Sequence, residues 1–256
     1  MVTEEQRART LARFAAHREA WARNPALRSL YGDWYARIRR HLPAAARGPF
    51  VEIGSGPWFA REVLPELRLS DLVQAPWHDY QLDAGARLPF ADGELGALVL
   101  FDVLHHLASP RRFFAEAARV LRARGRVVLC EPLISPLSYP VYKFLHEEPV
   151  DMGVDPLTAE IHQSGATEKD PFDSNQAVPT LLFGRHRAAF ERAFPSLRVV
   201  SVERLAGPSY AASGGFSRGA LLPMPLWRTL HSLEQRLPSS VFRLIGFRLL
   251  AVIERM

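Results

Sequence analysis

A glycine turn after a short apolar run is the feature of this sequence that most clearly indicates ligand binding. Residues 50–58 read Phe-Val-Glu-Ile-Gly-Ser-Gly-Pro-Trp, with a single acid, Glu52, among the apolar residues. Gly54 and Gly56 can take positive φ and let the backbone approach a ligand, because they carry no Cβ. A strand, a glycine turn and a helix in this order point N–H groups at a nucleotide-like ligand. Phe59 stands where a dinucleotide fingerprint needs its third glycine, which disfavours nicotinamide and flavin cofactors.

Histidines and acids at the ends of later apolar runs form a second group that could do chemistry. His105 and His106 follow the predicted strand 95–101. Glu131 lies at the end of the predicted strand 126–132, and His146 lies in the irregular stretch after it. Histidine has a pKa suited to taking a proton from a hydroxyl, so each histidine is a candidate base. No spacing such as His-Glu-x-x-His is present, so no metal site is predicted.

These assignments have structural alternatives that the sequence leaves open. Of two adjacent histidines typically one turns inward, and the sequence does not say which. His105 could instead cap the strand end while His106 packs against the next helix. Glu131 either accepts a hydrogen bond from a substrate or ties down the segment that follows it.

The pattern of apolar residues predicts alternating strands and helices around these groups. Strands are predicted where apolar runs are short, and a helix where apolar residues recur at helical spacing. The run Leu95–Phe101 is apolar throughout, as in a strand buried on both faces of a parallel sheet. The predicted strands are 50–53, 67–73, 95–101, 126–132, 197–205 and 247–254, and the predicted helices are 110–121 and 184–194.

Taken in order, these motifs resemble the class I methyltransferases that use S-adenosylmethionine. The acid and glycines of residues 52–56 resemble motif I of that family, and Asp83-Ala84 before Leu88-Pro89-Phe90 resembles its adenine site. The segments VLHHL near residue 105, RVL near 120 and EP at 131 resemble the type 11 pattern within the class. The resemblance covers residues 50–132, about a third of the chain.

The resemblance implies a fold and a set of cofactor contacts. The fold is α/β and Rossmann-like, the class I methyltransferase fold: a mostly parallel seven-stranded sheet flanked by helices, with an N-terminal helical cap and an inserted lid. In this family Glu52 would hold the methionine amino group of S-adenosylmethionine, Asp71 the two ribose hydroxyls, and Asp83 the adenine amino group. A turn or helix-capping aspartate is the alternative for Asp71. The implied cofactor-binding set is Glu52, Gly54, Ser55, Gly56, Trp58, Asp71, Trp77, Asp83, Ala84 and Asp102.

Two tryptophans belong to the predicted pocket with open roles. Trp58 occupies a position where many family members have a further glycine, so its ring either lines the pocket or narrows it. Trp77 lies in a predicted loop over residues 75–78. It either stacks on adenine or fills the core beneath the loop.

Composition agrees with one domain of 256 residues, 48% of them hydrophobic. A single cysteine, Cys130, excludes a disulfide framework. No segment approaches the ~20 apolar residues of a membrane span, and the N-terminus is charged, so a cytoplasmic protein is expected. The net charge of +5 comes almost entirely from arginine, without a tight basic run. A nucleic-acid partner is therefore not expected.

The regions outside the core are expected to choose the substrate. Two helices are predicted over residues 3–42 with a break at Asn24-Pro25, and an amphipathic segment over 226–246. That segment is read either as a peripheral membrane or homodimer contact, or as a helix packed over the acceptor pocket. The expected divisions are a cap (1–47), a cofactor-binding core (48–132), a lid and substrate region (133–183), and a C-terminal part (184–256) with a helical insertion (206–246).

Three functions are compatible with these observations. The first is methyl transfer to a small-molecule acceptor, a hydroxyl or amine of a secondary metabolite, sugar or lipid. The second keeps the cofactor and catalyses a non-methylating reaction such as a cyclisation. The third is a membrane-surface or partner-binding module that uses residues 226–246.

Overall fold

The structure is a computed structural model that describes residues 2–43, 48–158 and 174–256. Strands and helices alternate through most of this part of the chain. The strands are β1 (Phe50–Ile53), β2 (Leu67–Asp71), β3 (Tyr80–Gln81), β4 (Leu95–Phe101), β5 (Leu121–Pro132), β6 (Leu197–Leu205) and β7 (Arg248–Arg255). The helices are α1 (Glu4–Arg23), α2 (Pro25–His41), α3 (Phe59–Val63), α4 (Pro110–Val120), α5 (Ser138–Leu145), α6 (Val178–Phe183), α7 (Arg187–Ala193), α8 (Pro208–Ala212), α9 (Met224–Glu234) and α10 (Phe242–Ile245), with a 3-10 turn at Leu104–His106.

The strands form one seven-stranded sheet in the order β3-β2-β1-β4-β5-β7-β6. β1 lies between β2 and β4 and runs parallel to both. β5 continues the parallel set beside β4. β7 is antiparallel to both of its neighbours, so its first residue, Arg248, pairs with Pro132 at the carboxyl end of β5. This is the mostly parallel, helix-flanked α/β sheet that the sequence predicts, and the prediction of fold class is confirmed.

Both faces of the sheet are covered by helices, because the central strands are apolar on both sides. All seven residues of β4 are buried. One face packs against α4, α6 and α7, and the other against α2, α3 and α9. Large side chains of the first layer include Phe113, Phe114, Leu182 and Phe190. Large side chains of the second layer include Trp34, Ile38, Phe59 and Trp227.

The break between the two N-terminal helices follows from Asn24 and Pro25. Pro25 is the first residue of α2, where its missing N–H costs no helical hydrogen bond. The Asn24 side-chain oxygen accepts from the Leu27 N–H at 3.1 Å and so caps α2. Its amide group donates to the Ser213 carbonyl at 2.8 Å, which ties the N-terminal helices to the segment after β6. The break predicted at this dipeptide is confirmed.

Three short helices, α8, α9 and α10, lie between the antiparallel strands β6 and β7. Glu234 of α9 is 4% exposed and accepts the N–H groups of Gly207 and Ser209 at the start of α8. His231 contacts Asp33 of α2 at 2.7 Å. The insertion is therefore joined by polar contacts to the N-terminal helices.

Among the described residues, no helix combines the length and the apolar character needed to cross a membrane. Of the stretch predicted as a lid, the structure shows α5 and α6, while residues 159–173 lie outside the described part.

Candidate active site

The glycine turn follows β1 directly, and both of its glycines take positive φ, 70° at Gly54 and 52° at Gly56. A Cβ at Gly54 would collide with the side chain of Val103, which packs over the turn from the segment after β4. Only glycine meets both requirements at this position. The turn thus brings the carboxyl ends of β1 and β4 into close contact.

Glu52 is fully buried beside this turn and has one unsatisfied carboxylate oxygen. Its Oε1 accepts the hydroxyl hydrogen of Tyr35 at 2.9 Å. Its Oε2 has no hydrogen-bond partner among the residues that the structure describes. Burial raises the pKa of Glu52 to about 7, although hydrogen bonds from Tyr35 and Ser55 oppose that rise. A buried, unpaired carboxylate oxygen at a ligand-binding turn suits the ammonium group of a ligand.

Asp71 ends β2 with its carboxylate pointing at the same turn. Its Oδ2 accepts the Gly56 N–H at 3.0 Å, and its Oδ1 accepts the Val73 N–H at 3.1 Å. Burial raises the pKa of Asp71, and these backbone hydrogen bonds oppose the rise. Each carboxylate oxygen has a second lone pair that could accept a further donor, so the predicted ribose contact stays a prediction.

Trp58 and Trp77 cover the turn from outside. Trp58 has a left-handed backbone with φ of 68°. The Arg18 guanidinium carbon lies over its ring, 3.8 Å from the ring centroid. Trp77 lies edge-on to Trp58 with ring centroids 5.0 Å apart, and its indole N–H donates to the Gly56 carbonyl at 2.7 Å. His78 contacts the same carbonyl at 2.8 Å. The structure thus places both tryptophans against the glycine turn, where Arg18 and His78 join them.

Asp83 and Ala84 follow β3 at the edge of the sheet. Asp83 is exposed, and its Oδ1 accepts the Gly85 N–H at 2.7 Å. Ala84 is buried. The Leu82 N–H donates to the Asp71 carbonyl at 3.0 Å, which holds this segment next to the end of β2. The predicted ribose and adenine contacts therefore lie on adjacent segments.

Asp102 follows β4 with a φ of 57° and forms an ion pair with Arg248, its Oδ1 lying 2.6 Å from Nη1. Arg248 is 2% exposed, and its guanidinium lies over the rings of Trp34 and Phe101, 5.1 Å from each centroid. Arg248 is a residue that sequence reasoning missed. In the sequence, the only local sign of Arg248 is a charged residue at the start of an apolar strand.

His105 lies between two carboxylates at the carboxyl ends of β4 and β5. Its Nδ1 is 2.7 Å from Glu131 Oε2, and its Nε2 is 3.2 Å from Glu148 Oε2. The other oxygen of Glu131 accepts the N–H groups of Val103 and Leu104 at 2.9 and 2.8 Å. Glu131 is fully buried and holds His105 in one orientation.

His105 is therefore the histidine that turns inward. Burial alone would lower its pKa, but hydrogen bonds to Glu131 and Glu148 outweigh burial and raise the pKa to about 10. A histidine that stays protonated near neutral pH donates hydrogen bonds and does not act as a base. Its observed contacts are those of a charged link between two acids.

His106 and His146 lie on the outer side of His105. His106 Nε2 is 3.7 Å from Glu148 Oε1, and its side chain is 23% exposed. His146 is exposed, and its Nδ1 accepts the Glu148 N–H at 3.2 Å. Three of the four predicted catalytic residues, the histidines, thus contact one acid that was not among them, Glu148, and Glu131 is linked to it through His105. The charged run of residues 146–148 was the only sequence signal for it.

Comparison with known proteins agrees with this geometry. Residues 60–129 match the family model Methyltransf_11, described as a methyltransferase domain. The match spans α3 to β5, the segment that contains Asp71, Asp83, Asp102 and both adjacent histidines. A search of curated proteins finds no match.

Solved structures superpose on this chain at low sequence identity. A structure of the Haloferax volcanii Trm112 methyltransferase activator in complex with a methyltransferase superposes with a TM-score of 0.51 and 16% identity, covering 100% of this chain and 99% of that chain. A methyltransferase from Archaeoglobus fulgidus that depends on S-adenosylmethionine gives a TM-score of 0.47 and 17% identity, covering 90% and 94% of the two chains. Geranyl diphosphate C-methyltransferase from Streptomyces coelicolor gives 0.46 and 14%, covering 89% and 81%.

The fold and the family match together define the class of protein. The chain has the class I methyltransferase fold and carries the methyltransferase domain over residues 60–129. The resemblance found in the sequence is confirmed over these residues, and the expected fold is confirmed for the sheet as a whole.

Proposed function

We propose that the chain transfers the methyl group of S-adenosylmethionine to a small-molecule acceptor that bears a hydroxyl or an amine. The observation that carries the proposal is the position of the cluster formed by His105, His106 and Glu148, next to Asp102 and one strand from the glycine turn. Ligands of open α/β sheets bind at the carboxyl ends of the strands. Cofactor residues and acceptor residues here occupy neighbouring parts of that edge.

The cofactor would lie along the ends of β1, β2 and β3. Glu52 would pair its free oxygen with the methionine ammonium, and Asp71 would accept from the ribose hydroxyls. Asp83 and the Ala84 N–H would contact adenine. The sulfonium supplies an activated methyl group, and this chain's residues supply alignment, since methyl transfer is a displacement that depends on the positions of the reacting groups.

The acceptor would lie over β4 and β5, where His106 and Glu148 line the entrance to the cluster. The side chains of His105, Glu148 and His106 are 3%, 15% and 23% exposed, so exposure increases towards His106. The low exposure of these side chains supports a small acceptor, or an end group of a larger one, over a folded protein surface.

The helical insertion provides a separate surface on which partner contacts are proposed. Leu226, Leu233 and Leu237 are 59%, 54% and 40% exposed on or just after α9. Apolar exposure of this kind supports the prediction of a peripheral membrane or homodimer contact through residues 226–246. Sedimentation of the full chain with and without liposomes tests this contact. A chain that stays monomeric and does not bind liposomes would contradict it.

The main test is calorimetric titration of the purified chain with S-adenosylmethionine and S-adenosylhomocysteine, with NAD as control. Binding of the first two alone is expected. Release of S-adenosylhomocysteine is then measured with pools of hydroxyl and amine acceptors. Cofactor-dependent product formation without this release would favour a non-methylating reaction such as a cyclisation.

A matched pair of variants separates the two ends of the site. Glu52→Gln should weaken cofactor binding, whereas His106→Ala should leave cofactor binding unchanged and reduce turnover. Absence of cofactor binding by the unchanged chain would overturn the proposal. Unchanged turnover in His106→Ala would move the acceptor site elsewhere.

A further inference from the structure

We propose that His105, His106 and Glu148 form a binding site for one divalent transition-metal ion of the Zn²⁺ kind. Metal binding is independent of methyl transfer, because it concerns only these three side chains. The proposal rests on their donor atoms, on the support behind His105 and on the opening beside His106.

The donor atoms have the separations that a bound ion requires. One ring nitrogen from each imidazole and one oxygen of the carboxylate all lie within 4.8 Å of one another. The pairwise distances to Glu148 are 3.2 Å from His105 and 3.7 Å from His106. Two ligands bound at ~2.0–2.1 Å to a tetrahedral Zn²⁺ lie about 3.3 Å apart. Small side-chain rotations therefore suffice for all three to bind one ion.

The residue behind His105 is arranged as it is in metal sites. A metal-ligating histidine almost always donates its other ring N–H to a carboxylate or carbonyl, which orients the ring. Glu131 Oε2 receives the Nδ1 hydrogen of His105 at 2.7 Å. Glu131 is itself fixed by the backbone N–H groups of Val103 and Leu104. On metal binding, Nε2 would give up its proton to solvent and bind the ion, while Nδ1 would keep its hydrogen on Glu131. Glu131 is therefore the positioning residue of the site.

Gln176 provides an independent observation at the same place. It is 2% exposed, and its Nε2 donates to Glu148 Oε2 at 2.5 Å. Its Oε1 is buried without a hydrogen-bond partner among the residues described in the structure. A buried amide oxygen without a partner is costly. A water molecule bound to the ion would supply the missing donor.

A second grouping of His105 with Asp102 and Glu131 also brings three donor atoms together, but it is the weaker candidate. Both oxygens of Glu131 already accept hydrogen bonds, and Asp102 is paired with Arg248. Use of either acid would break contacts with buried backbone N–H groups or with Arg248, whereas the Glu148 carboxylate contacts the side chains of His105, His106 and Gln176. His106 and Glu148 are 23% and 15% exposed, so an ion can enter from their side.

The donor set indicates the kind of ion. Two imidazoles and one carboxylate suit Zn²⁺ and its first-row neighbours, whereas Mg²⁺ and Ca²⁺ prefer oxygen donors. Three protein ligands leave an open coordination position, as in catalytic zinc sites. An acceptor hydroxyl bound at that position would have its pKa lowered by the ion. The lowered pKa of an acceptor hydroxyl rests on the proposed function. Binding of the ion by the three side chains does not depend on that function.

The experiment uses the full chain after dialysis against a chelator. Titration with ZnCl₂ against a chromophoric chelator is expected to show one tightly bound ion per chain, and MgCl₂ should not compete. Cobalt(II) substitution should give the absorption of a four-coordinate site. His106→Ala and Glu148→Gln should each weaken Zn²⁺ binding at least tenfold. Circular dichroism of each variant checks that it is folded.

Two further variants separate a site from ordinary surface binding. His41 contacts Glu203 at 3.2 Å in a half-exposed pair outside the cluster, so His41→Ala should leave the affinity unchanged. Glu131→Gln should reduce metal affinity tenfold to a hundredfold, as expected for loss of such a support, and should shift the cobalt absorption bands. Absence of stoichiometric Zn²⁺ binding, or full affinity in both His106→Ala and Glu148→Gln, would overturn the proposal.

Discussion

Tyr35 donates its phenolic hydrogen to Glu52 Oε1 at 2.9 Å, and both side chains are buried. This contact joins the second N-terminal helix to the acid at the end of β1. The cap is thus bonded to the residue assigned to the methionine end of the cofactor. Tyr35 belongs to no cofactor motif, and its role becomes visible only when α2 is packed on the sheet.

Cofactor affinity is expected to depend on pH through Glu52. The pKa of Glu52 rises from 4.5 to about 7 because burial disfavours its charge. A cofactor ammonium pairs with the ionised form, so S-adenosylmethionine should bind more tightly as pH rises through about 7. Calorimetry across this range checks it. Glu52→Gln has no such proton to lose, and persistence of the same pH dependence in that variant would contradict the assignment.

The same shift predicts the opposite trend for stability in the absence of cofactor. A folded state that raises the pKa of an acid binds its proton more tightly than the unfolded state does. The contribution of Glu52 to the free energy of unfolding should therefore fall as pH rises from 4.5 to about 7. Comparison of the unchanged chain with Glu52→Gln isolates this contribution.

His105 should make stability depend on pH at the alkaline end. Its pKa is raised from 6.5 to about 10 by Glu131 and Glu148, which outweigh burial. A raised histidine pKa contributes stability that is complete below 6.5 and is lost as pH rises through about 10. Denaturant unfolding with a chelator present measures it. Glu148→Gln should flatten the slope, and an equally steep decline in that variant would assign it to another group.

Replacement of Trp58 by glycine tests whether its ring restricts the pocket. Its φ of 68° is left-handed, which costs a residue with a Cβ about 1–2 kcal/mol and costs glycine little. The variant also loses the ring contact with Arg18, worth about 0.5–1 kcal/mol at an exposed site. We expect stability to change little and S-adenosylmethionine to bind several-fold more tightly by calorimetry. Trp58→Phe, which keeps a ring, is the control, and weaker binding in the glycine variant would show that Trp58 lines the pocket.

Asp71 and Asp83 should respond differently to removal of the carboxylate. Asp71 holds the N–H groups of Gly56 and Val73, so Asp71→Ala should lower both cofactor affinity and the free energy of unfolding. A loss of about 1–3 kcal/mol is the usual size for an unpaired buried group. Asp83 is exposed, so Asp83→Ala should weaken cofactor binding without loss of stability. Thermal unfolding beside calorimetry distinguishes them, and unchanged affinity in Asp83→Ala would remove it from the site.

The fold was predictable because its signals are local. Leu95–Phe101 is apolar throughout, and it forms a strand whose residues are all buried. Asn24-Pro25 combines a capping side chain with a residue that suits the first turn of a helix, and the helix break lies there. Each of these signals spans a few consecutive residues and needs no knowledge of distant contacts.

The polar contacts of the site were not predictable in the same way. Glu148 reaches His105 from a loop after α5, and Arg248 reaches Asp102 from the start of β7. No fixed spacing in the sequence reveals either pair, because each forms only when separate strands and loops pack together. For the same reason, the sequence could not distinguish His105 from His106. The difference between them is set by Glu131, which lies on the neighbouring strand.

The Asp102–Arg248 pair has a consequence for synthesis of the protein on the ribosome. Every residue of the cofactor set is translated well before Arg248, which begins the last strand of the sheet. Until that strand emerges and inserts between β5 and β6, Asp102 lacks its cationic partner and the sheet lacks the strand that joins β6 to it. A nascent chain can therefore form the early strands. It completes the site only after β7 has joined the sheet.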